Sequence, residues 1–209
     1  MNPPPQYEAC LFRLRSSTQK GGTLIAEDVL DYSTHKRRIC DPDGYRPRRC
    51  PRCGGERFHV HDYRERVLRA EPGEPVTRTV RHVCVFCKAI WQILPLFLAR
   101  HLWRTWNVVR HVLMPDPQAA SLGERQHDWP QVPSRTVRRW RQRWLRPARA
   151  LAQVLASTAQ AAWTALATQL PEDAICADLV SAYAREHIGS PLAGLAALVH
   201  RLEPNVRLL

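Results

Sequence analysis

Cys50-Pro51-Arg52-Cys53-Gly54 is answered downstream by Cys84-Val85-Phe86-Cys87. Reading these two stretches together decides the fold. A Cys-x-x-Cys pair at a tight turn aims both sulfurs at one point. Two such pairs supply four thiolates, the tetrahedral set that holds a structural zinc ion. Pro51 fixes one side of the first turn, and Gly54 lets the backbone approach the metal closely. The second pair carries Lys88 where the first carries Gly54. The loop between the pairs, residues 54–83, is longer than the usual zinc spacing. Two disulfides are the competing reading. Against them stand an odd total of 7 cysteines and a Met-Asn-Pro-Pro-Pro start with no secretory pattern. The expectation is one structural Zn2+ on Cys50, Cys53, Cys84 and Cys87, in a reducing, cytoplasmic protein. Cys10, Cys40 and Cys176 lack such partners and read as small buried or surface residues.

The segment between the pairs reads as strands. Phe58, Val60 and Asp62 alternate with His59, His61 and Tyr63, the period of two that a strand requires. Glu71-Pro72-Gly73-Glu74-Pro75 is a turn, residues 76–85 return as a second strand, and residues 88–94 give a third. So small a sheet cannot be held by burial alone, and metal binding would supply much of its folding free energy. His59, His61, His82 and His101 are also candidate ligands by residue type. With four cysteines already paired, they read as strand or loop histidines. Arg57, Arg64, Arg66, Arg69, Arg78 and Arg81 suit either phosphate contact or a solvated strand face.

Outside the ribbon the N-terminal part is less informative. Residues 1–6 read as a loose tail, 7–14 as a strand and 16–22 as a loop. Residues 23–32 carry a weak helical pattern in Leu24, Ile25, Val29 and Leu30. Charge says more. The 209 residues hold 31 Lys+Arg against 19 Asp+Glu, a net +12 with pI near 10.1, which points to a polyanionic partner, nucleic acid before an anionic membrane. Residues 101–150 are strongly basic, whereas residues 151–209 are slightly acidic. The longest apolar run, residues 89–99, is interrupted by Gln92 and Pro95 and is too short to span a bilayer.

Residues 95–117 place Leu96, Leu98, Leu102, Trp103, Trp106, Val109, Val112 and Leu113 at helical spacings, so one amphipathic helix is expected, ended by Pro115 and Pro117. Residues 118–125 suit a short helix and 126–133 a loop. Ser134 is an N-cap candidate for a helix over 135–146. On that helix Val137, Trp140 and Trp144 share one side. Arg135, Arg139, Gln142 and Arg146 share the other, flanked by Arg138 and Arg143. No acid lies between Ser134 and Arg149. Such a strip repels itself unless an anion is present. Following two helices, it reads as the last helix of a helix-turn-helix. Arg135, Arg138 and Arg139 would reach guanine edges, Gln142 an adenine, and Arg143 and Arg146 phosphates.

The order CPRCGG, HVHDYRERV, a basic strand into Cys84-Val85-Phe86-Cys87, ILPLFL and VPSRTVRRW resembles zinc-ribbon plus helix-turn-helix proteins of the bacterial insertion-element transposase type. The resemblance covers roughly residues 45–146. It implies binding of double-stranded DNA at the nucleoid and transfers by residue only the four cysteine ligands and the arginine helix. A transposase of the usual type needs three carboxylates on a mixed sheet to hold two metal ions. Glu172, Asp173, Asp178, Glu186 and Glu203 all fall in a segment that reads as helices, so no enzymatic activity is expected.

The tail reads as helices over 147–170, 172–188 and 191–202. Ser190 caps the last and Pro191 opens it. Leu195, Leu198, Val199 and Leu202 form a stripe that something must cover, either the core or a second copy in a homodimer. The sequence thus predicts an α+β protein with an N-terminal segment 1–45 and a small four-cysteine zinc-ribbon β-sheet over 46–94. A helix-turn-helix region over 95–149 and a helical tail over 150–209 follow. Its expected role is DNA binding as an accessory or regulatory protein of a transposon-like element. A non-catalytic transposase remnant and an RNA-binding or protein-bridging ribbon stay open as alternatives.

Overall fold

A computed structural model describes residues 20–41, 43–69, 75–100, 103–114, 132–148, 151–152, 170, 173–186, 190–203, 205 and 208–209. Expectations for residues 1–19, the helices over 118–125 and most of 147–170, and the 71–74 turn lie outside them.

The fold is α+β. Four strands form one sheet in the order β1-β4-β3-β2: β1 (Lys20–Ala26), β2 (Phe58–Val67), β3 (Val76–Cys84) and β4 (Ile90–Pro95). β2, β3 and β4 run antiparallel, as their turns require. β1 joins from the N-terminal segment and runs parallel to β4, from Lys20↔Ile90 to Ala26↔Pro95. Residues 20–26 are therefore a strand and not part of a helix over 23–32. The helix comes later, as α1 (Tyr32–Arg38). Asp31 decides where: its carboxylate accepts the Thr34 backbone N–H at 2.8 Å and the Ser33 hydroxyl at 2.6 Å. These bonds, the Ser33 hydroxyl first, hold the Asp31 carboxyl down at about 2. Gly21 permits the close approach of β1, since a Cβ there would lie 1.7 Å from the Ile90 carbonyl oxygen.

The alternation expected along β2 breaks at a bulge. Val60 pairs with His82 but Asp62 pairs with Arg81, which leaves His61 as the extra residue. Beyond it the parity flips, so Tyr63, not Asp62, pairs with Val80 on the core side. Asp62 turns outward and takes the Arg81 guanidinium through two hydrogen bonds, whose strength keeps its carboxyl below the usual range.

After β4 the chain does not enter a helix at once. β5 (Leu98–Ala99) and β6 (Arg104–Thr105) pair first, and α2 (Trp106–Leu113) starts only at Trp106, with Thr105 as N-cap. The expected helix over 95–105 is overridden because Pro95 is held in the sheet opposite Ala26, and Trp103 takes φ of 55°, outside helical space. α3 (Ser134–Trp144), α4 (Cys176–Glu186) and α5 (Pro191–Leu202) complete the described helices. Ser134 is the first residue of α3 and not its cap. Pro133 holds the cap position, and no side chain bonds there.

Three apolar clusters result. Val29, Tyr45, Leu68, Val80, Ile93, Phe97 and Leu98 fill the space between sheet and α1. Trp106, Val109, Trp140, Trp144, Leu179, Leu192 and Leu195 centre the helical body. Phe58 packs with Cys50 and Cys84 at the end of the ribbon. Leu195, Leu198 and Val199 are buried within this chain, so the apolar stripe of α5 is covered by its own core. His200 ties α5 to β1: its Nε2–H donates to the Thr23 carbonyl at 2.8 Å.

Candidate metal centre and arginine helix

The four cysteines predicted as ligands converge. Their Sγ atoms all lie within 4.8 Å of one another, and Cys50–Cys87 and Cys53–Cys84 are each 3.6 Å apart. A tetrahedron of thiolates at zinc–sulfur distance has edges of about 3.8 Å. A disulfide would need sulfurs about 2.05 Å apart. The described cysteines are all free, so the disulfide alternative fails for these four. No histidine belongs to the cluster among the described residues. His59 and His61 are exposed, His82 is buried and His101 lies outside the described residues.

The backbone builds the site twice over. Gly54 N–H donates to the Cys50 carbonyl at 2.8 Å, and Cys50 N–H donates to the Gly55 carbonyl at 2.8 Å. Lys88 N–H donates to the Cys84 carbonyl at 3.0 Å, and Cys84 N–H to that of Ala89 at 2.9 Å. The two turns are thus equivalent bond for bond. Each needs a left-handed residue after its second cysteine: Gly54 has φ of 72° and Lys88 has φ of 57°. Lys88 adopts the glycine conformation without being glycine. That equivalence is invisible in the sequence, where the second motif looks incomplete.

Without a cation, the thiols are in conflict. Burial pushes the Cys50 thiol up, but the Cys53 and Arg52 N–H groups and the neighbouring Cys87 and Cys53 thiols together bring it down to about 6. At Cys53 the Gly55 N–H acts downward, yet desolvation and the three adjacent thiols push it up to about 12. One thiolate is favoured and further ionisation is resisted. A divalent ion removes that repulsion, so the donor set, spacing and electrostatics all fit a metal.

α3 presents the other predicted residues. Trp140 and Trp144 are buried in the helical body, and Val137 is half-buried. Arg135, Arg138, Arg139 and Gln142 are exposed, Arg143 is half-buried, and Arg146 is exposed just beyond the helix end. Arg141 is exposed as well and escaped the sequence reading, although it belongs to the same run. None of these arginines forms an ion pair among the described residues. Arg104 of β6 stacks over the Trp140 ring with its guanidinium carbon 5.5 Å from the centroid, steadying the anchor from behind. α2 packs in the same cluster as α3. The segment between them, residues 115–131, lies outside the described residues, so the turn of the expected helix-turn-helix does too.

Of the acids considered for catalysis, Asp178 accepts the Ile175 N–H at 2.8 Å and opens α4, and Asp173 and Glu203 are exposed. No helix among the described residues is long and apolar enough to cross a membrane. Comparison with protein-family models, with curated proteins and with solved structures finds no match to the chain.

Proposed function

We propose that this protein binds double-stranded DNA through α3, with a single structural Zn2+ on Cys50, Cys53, Cys84 and Cys87 holding the ribbon. The observation that carries the reading is a helix face of exposed arginines, without ion pairs among the described residues, whose opposite face is locked by two buried tryptophans. A phosphate backbone neutralises such a face, and guanidinium groups can bond guanine edges bidentately. Zinc is favoured because an all-thiolate tetrahedral set with no oxygen donor suits it better than magnesium or calcium. The role is one of binding and not of catalysis, as an accessory or regulatory protein of a transposon-like element or a remnant of a transposase.

The test titrates zinc-loaded protein with duplex DNA libraries across a salt series, beside an Arg135→Ala/Arg138→Ala/Arg139→Ala variant. The expected result is binding that falls steeply with salt, with the sequence preference lost in the variant while the steep salt dependence persists. Weak binding that is unchanged in the variant would sink the proposal. A second reading rests on Phe86, which stands 61% exposed between the cysteines of the second turn. An exposed aromatic there suits stacking on single-stranded RNA. Preference for single-stranded RNA, lost in Phe86→Ala, would favour it.

A further inference from the structure

A cavity of about 920 Å³ opens between β1, the stretch 45–49 that leads into the first cysteine turn, and the C-terminal end of α5. Its size falls within the range of small-molecule sites. Among the described residues six arginines line it, Arg38, Arg46, Arg48, Arg49, Arg100 and Arg201, against two acids, Glu27 and Asp28. Half-buried Trp91 forms part of its wall, and Tyr45 lies beneath Arg38 at its floor. No residue of α3 does, so this site is independent of the duplex-binding reading.

The arginines are organised, not merely abundant. Arg100 Nη1–H donates to His200 Nδ1 at 2.6 Å, while the other ring nitrogen of His200 bonds β1. That chain fixes the neutral tautomer of His200 and aims the Arg100 guanidinium from the junction of ribbon and helical body. His200 itself is 8% exposed. Arg38 sits over the Tyr45 ring, with its guanidinium carbon 4.8 Å from the centroid, and pairs with Asp28 at 2.5 Å. Arg46 and Arg49 pair with Asp43 and Glu56, which stand outside the cavity lining. Exposed pairs of this kind are weak and exchange readily for a more highly charged anion. Arg48 has no ion-pair partner among the described residues and is exposed at the cavity rim.

We propose that this cavity binds a phosphorylated ligand with an aromatic ring, a nucleotide moiety, its phosphates met by Arg48, Arg46 and Arg100 and its base set against Trp91. Guanidinium groups bind phosphate oxygens as bidentate forks, and the mixed polar and aromatic lining suits a base with an attached phosphate. Such a moiety has two sources, a free nucleotide or the 5′-phosphorylated end of a nucleic-acid strand.

The experiment is calorimetric titration of the full zinc-loaded chain with ADP, with inorganic pyrophosphate, and with one short oligonucleotide in 5′-phosphorylated and 5′-hydroxyl forms. Wild type is compared with Arg48→Glu, which alters an exposed side chain, and with Arg185→Ala, an exposed arginine of α4 outside the cavity, as a control. Thermal melts confirm that each variant folds. The expected result is one-site binding of ADP or of the 5′-phosphorylated oligonucleotide, weakened about tenfold or more by Arg48→Glu and unchanged by Arg185→Ala. Preference for ADP assigns a free nucleotide, and preference for the 5′-phosphorylated over the 5′-hydroxyl strand assigns a strand end. Absence of binding by every probe overturns the proposal. So does binding that Arg48→Glu leaves intact, or a pyrophosphate affinity equal to that of ADP, which would leave the aromatic wall without a role.

Discussion

At the scale of single residues, Gly54 and Lys88 occupy the same place in two equivalent turns with different chemistry. A Cβ added at Gly54 meets nothing within 4 Å, so only its left-handed backbone matters there. Gly54→Ala should therefore cost about 1 kcal/mol through conformation alone. Lys88→Gly should move the other way, gaining up to about 1 kcal/mol by relieving a side chain from that region. Chelator competition and thermal melts of the two variants measure both effects, and a loss of stability in Lys88→Gly equal to that in Gly54→Ala would refute the equivalence of the turns. The convergence of the four cysteines was legible in the sequence because chemistry and spacing both mark them. The conformation of Lys88 was not, since lysine carries no local preference for positive φ and the surrounding hydrogen bonds impose it. The parity flip at His61 was hidden for a similar reason: a bulge is set by pairing with the partner strand, not by the residue that bulges.

At the scale of elements, α3 was readable and the region before α2 was not. α3 has a clean division between Val137, Trp140 and Trp144 on one side and arginines on the other, so one helical period accounts for both faces. α5 was read to its bounds because Pro191 opens it and its apolar spacing has no rival. Residues 23–32 and 95–105 each had leucines and other apolar groups at spacings that suit a helix, yet strands take residues from both. Their hydrogen-bond partners lie outside the local helical repeat, and tertiary pairing outweighs a weak local pattern. The anchoring of α3 gives a prediction at this scale. Trp140 is 1% exposed and sits under Arg104. Trp140→Ala should cost about 3–5 kcal/mol and should weaken duplex binding although no arginine is removed. Denaturant melts and the same DNA titration read the two effects, and normal affinity in a destabilised variant would show that α3 needs no anchor.

At the scale of the whole molecule, the sheet core and the helical core are separate bodies of contact joined by way of β5, where Leu98 belongs to the sheet core and Ala99 to the helical one. On the proposed zinc assignment, a strong chelator should free the cysteines to thiol reagents and loosen the ends of β2 and β3. It should leave most of the helical circular-dichroism signal in place. Collapse of both signals together would mean that the His200 and β5 links make one cooperative unit. The α+β class could be read from the chain, whereas the fourth strand could not, because nothing in Lys20–Ala26 names β4 as its partner. That parallel pairing carries a consequence for biosynthesis. β1 leaves the ribosome seconds before β4 exists, given synthesis at about 5–20 residues per second. In that interval the whole cysteine-bearing hairpin emerges and its four thiols can gather while β1 waits as an unpaired, glycine-containing segment with a lysine at its head. The first described strand of the chain to be made is thus placed only after the ribbon it completes.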